Sequence, residues 1–313
     1  MLLLYNLCSL RLNLLNKKTL LFNICMSHIS IFLELTRLKK PIGYMLLFWP
    51  CVWGLTIAYD FNDNINKYFF YIFLFLSGSI LMRSAGCIVN DIIDKDFDKN
   101  VERTKNRPIA SGKISVKLAS IYSIILCLVA FVVLINFNLN TILFAIASMP
   151  LAFTYPLMKR FTYWPQLFLG ITFNYGLILG WTAIYGGISI EPIIFYLGAI
   201  FWTLGYDTIY GFQDIKDDEI IGVKSTSIKF KNSPKLFIFV NYFLFSISLI
   251  LIGIFMSFSK IYFITLIVPF LHLFFYQIYK LNIKNSNVCL NIFKSNNLFG
   301  LIIFGCLIIG KIF

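Results

Sequence analysis

Apolar stretches recur along this chain at the length that a lipid bilayer dictates. A helix needs about 20 apolar residues to cross the hydrocarbon core. Nine segments read as such crossings: 42–58, 69–89, 117–135, 141–157, 166–185, 193–210, 236–257, 261–279 and 298–312. Some are short or interrupted by glycine and proline, so eight is the alternative count. Backbone amides inside lipid must be satisfied within helices or a closed barrel, which leaves few folds open. The expected class is all-α, a multi-pass transmembrane helical bundle of about nine helices. Composition agrees, since only 13% of the 313 residues are charged, against roughly 25% in soluble domains. Disorder, collagen-like repeats, a coiled coil and a disulfide scaffold are excluded on the same ground.

The basic residues test this reading independently. With nine spans, 23 lysines and arginines fall in loops on the side that holds the N-terminus, and only Lys67, Lys260 and Lys311 on the other. Arg83 stays inside a span. Basic loops mark the cytoplasmic side or its organellar equivalent, so the expected location is a bacterial inner membrane or, alternatively, the mitochondrial inner membrane. The net charge of +13 therefore reports topology, and no nucleic-acid partner is expected. The seven cysteines mostly lie in apolar runs without CxxC spacing and read as small core residues. With only His28 and His272 as histidines, no zinc site is expected.

Residues 1–28 carry Arg11, Lys17 and Lys18 and no acid. They read as an N-terminal extension, either a targeting segment or sequence upstream of a start at Met26. Residues 29–313 read as one transmembrane domain.

The 14 acidic residues are unevenly placed. Five lie in one segment (Asp91, Asp94, Asp96, Asp98, Glu102) and five in another (Asp207, Asp214, Asp217, Asp218, Glu219). The segments follow the second and sixth spans, four helices apart and on the basic side, a weak hint of two similar halves. If the second span continues helically, Asp91, Asp94 and Asp98 share a face with Asn90 beside them, while Asp96 points away. Asp207, Tyr210, Asp214 and Asp218 make a second stripe by the same spacing. Carboxylates crowded on one face repel and raise one another's pKa, and hard divalent ions such as Mg²⁺ relieve this. Two such faces on one membrane side can bracket metal ions with a diphosphate between them. Cations to complete the site stand nearby: Arg83, two turns before Asn90, and Arg103, Arg107, Lys159 and Lys224 in loops. Arginine suits phosphate oxygens because its planar fork donates twice. Each acidic segment alone could be a solvated loop face, Asn90 could cap a helix, and Arg83 could snorkel.

These residues resemble the UbiA superfamily of intramembrane aromatic prenyltransferases. Its first motif, NDxxDxxxD followed by RTxxRP, is matched by Asn90, Asp91, Asp94, Asp98, Arg103, Thr104, Arg107 and Pro108. Its second is matched by the run from Asp207 to Asp218 and by Gly222–Thr226. The resemblance extends from about Arg37 to the C-terminus. Around Arg37–Pro50, Met82–Asp91, Tyr155–Gln166 and Asp207–Asp214 it is to the branch that acts on 4-hydroxybenzoate in ubiquinone synthesis. Gly211 departs from it, where alanine is expected.

The resemblance implies a nine-helix fold with its active site at the cytoplasmic or matrix end. It also implies Mg²⁺-dependent transfer of a polyprenyl group from its diphosphate to the ring carbon ortho to the hydroxyl of 4-hydroxybenzoate. The implied catalytic metal ligands are Asp91, Asp94, Asp98, Asp214 and Asp218. Arg37 or the Lys159–Arg160 pair would hold the benzoate carboxylate, and Asp207 and Tyr210 would orient the ring or the diphosphate. Association with other ubiquinone-synthesis enzymes is a further expectation. Two other classes stay open on the residues alone: a cation or metabolite transporter, and a CDP-alcohol phosphotransferase. The first is disfavoured by carboxylates at one face rather than the midplane, the second by the missing DGxxAR element.

Overall fold

The computed structural model describes residues 28–313. The readings made of residues 1–27, including a start at Met26, lie outside the described residues. Among the described residues the chain is helical, without strands. Its long helices are α1 (Ile42–Ala58), α2 (Ile65–Ile93), α3 (Val116–Leu134), α4 (Leu139–Thr154), α5 (Pro165–Tyr185), α6 (Ile190–Gly211), α7 (Pro234–Phe255), α8 (Lys260–Ile278) and α9 (Ser286–Ile312). Eight apolar helices are long enough to cross a membrane, α4 being prolonged to Phe161 by short turns, and α1 is a shorter apolar helix of 17 residues. The nine expected spans are thus all helices. The bounds differ most at α2 and α9. Asn64 caps α2 by accepting from the Asn66 N–H, so that the helix begins at Ile65, four residues before the expected start. Asn285 likewise caps α9 by accepting from the Val288 N–H. Polar residues at 285–297 hid the first turns of α9; among them Asn296 and Asn297 are satisfied by side chains of other helices.

α1 is the centre of the bundle. Every residue from Phe48 to Ala58 is buried, as expected of a helix that is apolar all round. It packs on α5, α9 and α2. Its contact with α5 is backbone on backbone, the small-residue packing used between helices in lipid. A Cβ added at Gly180 would stand 2.1 Å from the Cys51 carbonyl oxygen, and one at Gly54 would stand 2.0 Å from that of Leu177. Beyond this seam lies an aromatic core. Trp53 stacks on Phe195 at 5.6 Å and meets Trp202 at 5.1 Å.

The indole nitrogens and several buried amides of this core find partners, as lipid requires. Trp53 Nε1 donates to the Gly300 carbonyl (3.1 Å), and Trp202 Nε1 to Asn296 Oδ1 (2.9 Å). Gln277 Nε2 also donates to Asn296 Oδ1, and its own Oε1 accepts from the Tyr242 hydroxyl (2.6 Å). These bonds tie α6, α7, α8 and α9 together at fixed register.

The connections that carry most of the basic residues gather at one end of the bundle. Arg37, before α1, reaches Asp91 at the end of α2, and Lys159, after α4, reaches Asp94. Arg103 in the α2–α3 connection reaches Asp214 after α6, and Lys235 at the start of α7 reaches the Tyr279 carbonyl after α8. The shared end that the charge count required is therefore present.

Candidate active site

The first acidic segment begins in the last turn of α2. The helix breaks at Asp94 (φ −94°, ψ 7°) and resumes for one turn, Lys95–Asp98. The break leaves the shared face intact: Asp91, Asp94 and Asp98 are 2%, 2% and 7% exposed, whereas Asp96 is exposed and pairs with Lys99. The following loop folds back over this face. The Thr104 hydroxyl donates to the Asp98 carbonyl, which turns the chain so that Arg107 points inward. Arg107 Nη1 then donates to both Asp91 Oδ1 (3.0 Å) and Asp98 Oδ2 (2.8 Å). Arg37 gives Asp91 a second cation, from a residue with φ 53°, a left-handed backbone that a non-glycine side chain rarely adopts. Lys159 pairs with Asp94 Oδ2. Its neighbour Arg160 donates to the Ile93 carbonyl (2.7 Å) and lies 5.1 Å above the Phe97 ring. Asn90 is half-buried beside them.

The second segment differs from the single stripe that its spacing predicts. α6 ends at Gly211, and Asp214 opens a separate short helix, Ile215–Ile221. Asp207 and Tyr210 therefore belong to the span, while Asp214 and Asp218 belong to the loop above it. Packing is the physical reason. A Cβ at Gly211 would stand 2.3 Å from Ser227 Oγ, because the Thr226–Lys229 turn crosses the end of α6 there. That turn is held by Ser227 Oγ donating to the Thr208 carbonyl (2.9 Å), by the paired Thr208 and Thr226 hydroxyls (2.6 Å) and by Gln166 Oε1 accepting from the Thr226 N–H (3.0 Å). Glycine in place of the expected alanine thus fits a crowded contact. Gly222, with φ 78°, ends the short helix.

One residue joins the two segments. Arg103 Nε donates to Asp214 Oδ1 (2.8 Å) and Oδ2 (2.9 Å), and Nη2 to Oδ2. Its Nη1 is 3.5 Å from the Tyr210 hydroxyl. Lys224 braces the neighbouring loop: its N–H donates to the Lys159 carbonyl (2.9 Å) and its Nζ to that of Phe161 (3.3 Å). Arg83 alone of the candidate cations holds a buried nitrogen, Nε, without a hydrogen-bond partner. Its guanidinium lies 5.5 Å above the Phe173 ring and against Gly43, within electrostatic reach of Asp207. Sequence reasoning missed Phe97, Phe173 and the Gln166–Thr208–Thr226–Ser227 brace. Gln166, a lone amide opening an apolar span, and Thr226, at the end of the second motif, left a visible signal.

The electrostatics follow from burial. Asp94 lies above its ordinary pKa because burial disfavours its charge; Lys159 opposes this and Asp98 adds to it. Asp218 is pushed up to about 6, by burial first and then by Asp214. Burial pulls Arg103 down, but its bonds to Asp214 outweigh this and hold it above its ordinary value. Among the described residues no three His, Cys, Asp or Glu side chains converge closely enough to grip a metal ion. Arginine and lysine instead occupy Asp91, Asp94, Asp98 and Asp214. The donors still fit a hard divalent ion: all are carboxylate oxygens, and Asp94 Oδ1 is buried without a partner.

Residues 47–302 match the UbiA prenyltransferase family. The chain is 41% identical over 285 residues to the mitochondrial 4-hydroxybenzoate polyprenyltransferase of Rattus norvegicus, covering 90% of this chain and 75% of that one. It is 40% identical over 280 residues to the 4-hydroxybenzoate octaprenyltransferase of Francisella tularensis subsp. novicida, covering 88% and 95%. Its fold matches a UbiA homolog from Archaeoglobus fulgidus bound to DMAPP and Mg²⁺, with a TM-score of 0.66 at 18% identity over 88% of this chain and 98% of that one.

Proposed function

The chain belongs to the UbiA prenyltransferase family, and from that premise we propose that it transfers a polyprenyl group from polyprenyl diphosphate to 4-hydroxybenzoate, at the ring carbon ortho to the hydroxyl. The observation that carries this reading is the fork of Arg103 on Asp214, which makes one site of two acidic segments at one end of an apolar bundle. The names of its relatives in rat and Francisella tularensis supply the acceptor.

Asp91, Asp94, Asp98, Asp214 and Asp218 would hold Mg²⁺, which supplies Lewis acidity to the departing diphosphate. The cations that pair with these carboxylates, Arg37, Arg103, Arg107 and Lys159, are placed to donate to phosphate oxygens. Arg160, Lys224 and Asn90 line the same end. The allylic carbon–oxygen bond breaks with both electrons on diphosphate, and this array of positive charge stabilises the leaving group. The ring carbon of 4-hydroxybenzoate then bonds the allylic carbon and sheds its proton. Water must be kept from the cation, and the aromatic and aliphatic walls of α1, α5 and α6 below the carboxylates do this. Arg83, buried with a free donor, holds the benzoate carboxylate, while Arg37, Lys159 and Arg160 are engaged elsewhere. Asp207 and Tyr210 orient the phenol end. The site faces the cytoplasmic or matrix side of an inner membrane.

The test incubates membranes holding the protein with Mg²⁺, 4-hydroxybenzoate and polyprenyl diphosphates of several lengths, followed by mass spectrometry of the lipid extract. Prenylated benzoate is expected, and none is expected from Asp94→Asn with Asp214→Asn. Folded wild-type protein that yields no such product at any chain length would overturn the reading.

A further inference from the structure

A second basic feature lies apart from the acidic site. The start of α7 and the α8–α9 connection enclose an open cavity of about 610 Å³, lined by Ser233, Lys235, Leu236, Tyr279, Lys280 and Lys284 among others. No carboxylate lines it. Among the described residues none of the three lysines lies within ion-pair distance of an acid. Lys235 Nζ donates only to the Tyr279 carbonyl at 3.4 Å, and Lys280 Nζ lies 4.5 Å above the Tyr276 ring. All three lysines are exposed. Three cations that converge on one cavity with no carboxylate in its lining suit an anion from outside.

The surroundings say which kind. Leu236, Phe239, Val240 and Phe243 form an exposed stripe running along α7 away from the cavity, at the i, i+3, i+4, i+7 spacing of one helix face. Phe275 (71% exposed) and Tyr279 (80% exposed) form a matching ridge on α8. The two helices touch through Phe239 and Phe274, with ring centroids 5.4 Å apart. A phosphate in the cavity would therefore sit at the head of an exposed apolar surface along which the first part of an acyl chain can lie. Basic pockets between membrane helices on one leaflet side suit anionic head groups. One ion pair links the cavity's neighbourhood to the acidic segment: Lys231, one residue before the rim at Asn232, pairs with Glu219 on the short helix that carries Asp218.

We propose that this cavity is a binding site for the phosphate head group of an anionic phospholipid whose acyl chain lies along the exposed α7–α8 surface. The site is separate from the prenyl-transfer chemistry and holds whether or not that reading does.

The test uses purified full-length protein in detergent and native mass spectrometry with added phosphatidylglycerol or phosphatidylcholine. Phosphatidylglycerol is expected to remain bound at about one per chain, and phosphatidylcholine to be lost. Single changes Lys235→Gln, Lys280→Gln and Lys284→Gln are expected to weaken retention roughly fivefold each, and the three together by about a hundredfold. The three lysine-to-arginine changes are expected to keep it. Should the triple glutamine variant fail to fold, the single and arginine variants carry the test. Equal retention of both lipids, or retention indifferent to the lysines, overturns the proposal. Inorganic phosphate that displaces the lipid at equal concentration would mean that the cavity reads free phosphate, and overturns the lipid assignment too.

Discussion

Arg103 holds both carboxylate oxygens of Asp214, a residue 111 positions later in the chain. The contact closes the loop after α2 onto the loop after α6, so the two acidic segments form one chamber floor. Arg103→Lys keeps the charge and loses the fork. It is expected to lower kcat/KM roughly a hundredfold, within the range for losing a preorganised charge-stabilising donor, with little change in melting temperature because the pair is partly exposed. Steady-state kinetics in nanodiscs beside a thermal melt check both halves.

Metal affinity should depend on pH through Asp218. Its folded pKa is about 6, above the ordinary carboxylate value because of burial and Asp214. Above pH 6 the carboxylate is free to ligate, and below it a proton competes. Mg²⁺ affinity is therefore expected to be flat near pH 7.5 and to weaken by up to about tenfold per unit below 6. Calorimetric Mg²⁺ titrations at stepped pH read this directly, and Asp218→Asn should remove the inflection near 6. An unchanged profile in that variant would assign the titration elsewhere.

Arg83 should separate acceptor from donor binding. With its Nε buried and unpartnered, Arg83→Gln is expected to raise the KM for 4-hydroxybenzoate at least tenfold, the range for losing a charge-assisted hydrogen bond. The KM for the polyprenyl diphosphate should move little. Acceptors lacking the carboxylate should lose discrimination between wild type and variant. Equal shifts in both Michaelis constants would place Arg83 at the diphosphate instead.

The seam between α1 and α5 sets a stability prediction. Gly180→Ala places a methyl 2.1 Å from the Cys51 carbonyl oxygen, with backbone on both sides and nothing flexible to yield. The expected cost is about 1–3 kcal/mol or more, read as a lower melting temperature in detergent. Gly187→Ala, where an added Cβ meets nothing within 4 Å, serves as the control and should melt as the wild type does.

Chelation should silence the enzyme without unfolding it. The carboxylates already carry cationic partners (Arg37, Arg103, Arg107 and Lys159), so EDTA is expected to abolish product while the melting temperature shifts by no more than a few degrees. Restored Mg²⁺ should return activity. Loss of structure on chelation would make the ion a structural one.

Much of this was legible in the residues. The nine apolar helices, eight of them long enough to span, were visible because lipid demands long apolar runs, and Asp91, Asp94 and Asp98 because 3.6-residue spacing puts them on one face. The break at Gly211 was not, since it follows from Ser227 pressing on the helix end from another segment. The cationic partners were listed by type, but their pairing was hidden. That Arg107 rather than Arg103 bridges Asp91 and Asp98 depends on how the loop at Thr104 turns. The start of α9 was hidden by a run of polar residues, of which Asn296 and Asn297 are satisfied by Trp49, Trp202 and Gln277.

The pairing of four carboxylates with four cations has a consequence for how the enzyme loads. Asp91, Asp94, Asp98 and Asp214 are matched one for one by Arg37, Lys159, Arg107 and Arg103. In the resting site each of these four carboxylates is thus held by a basic side chain. If these carboxylates hold Mg²⁺, their arginine and lysine partners would be freed to donate to the phosphate oxygens, so donor and metal are expected to load as a pair, each raising the affinity for the other.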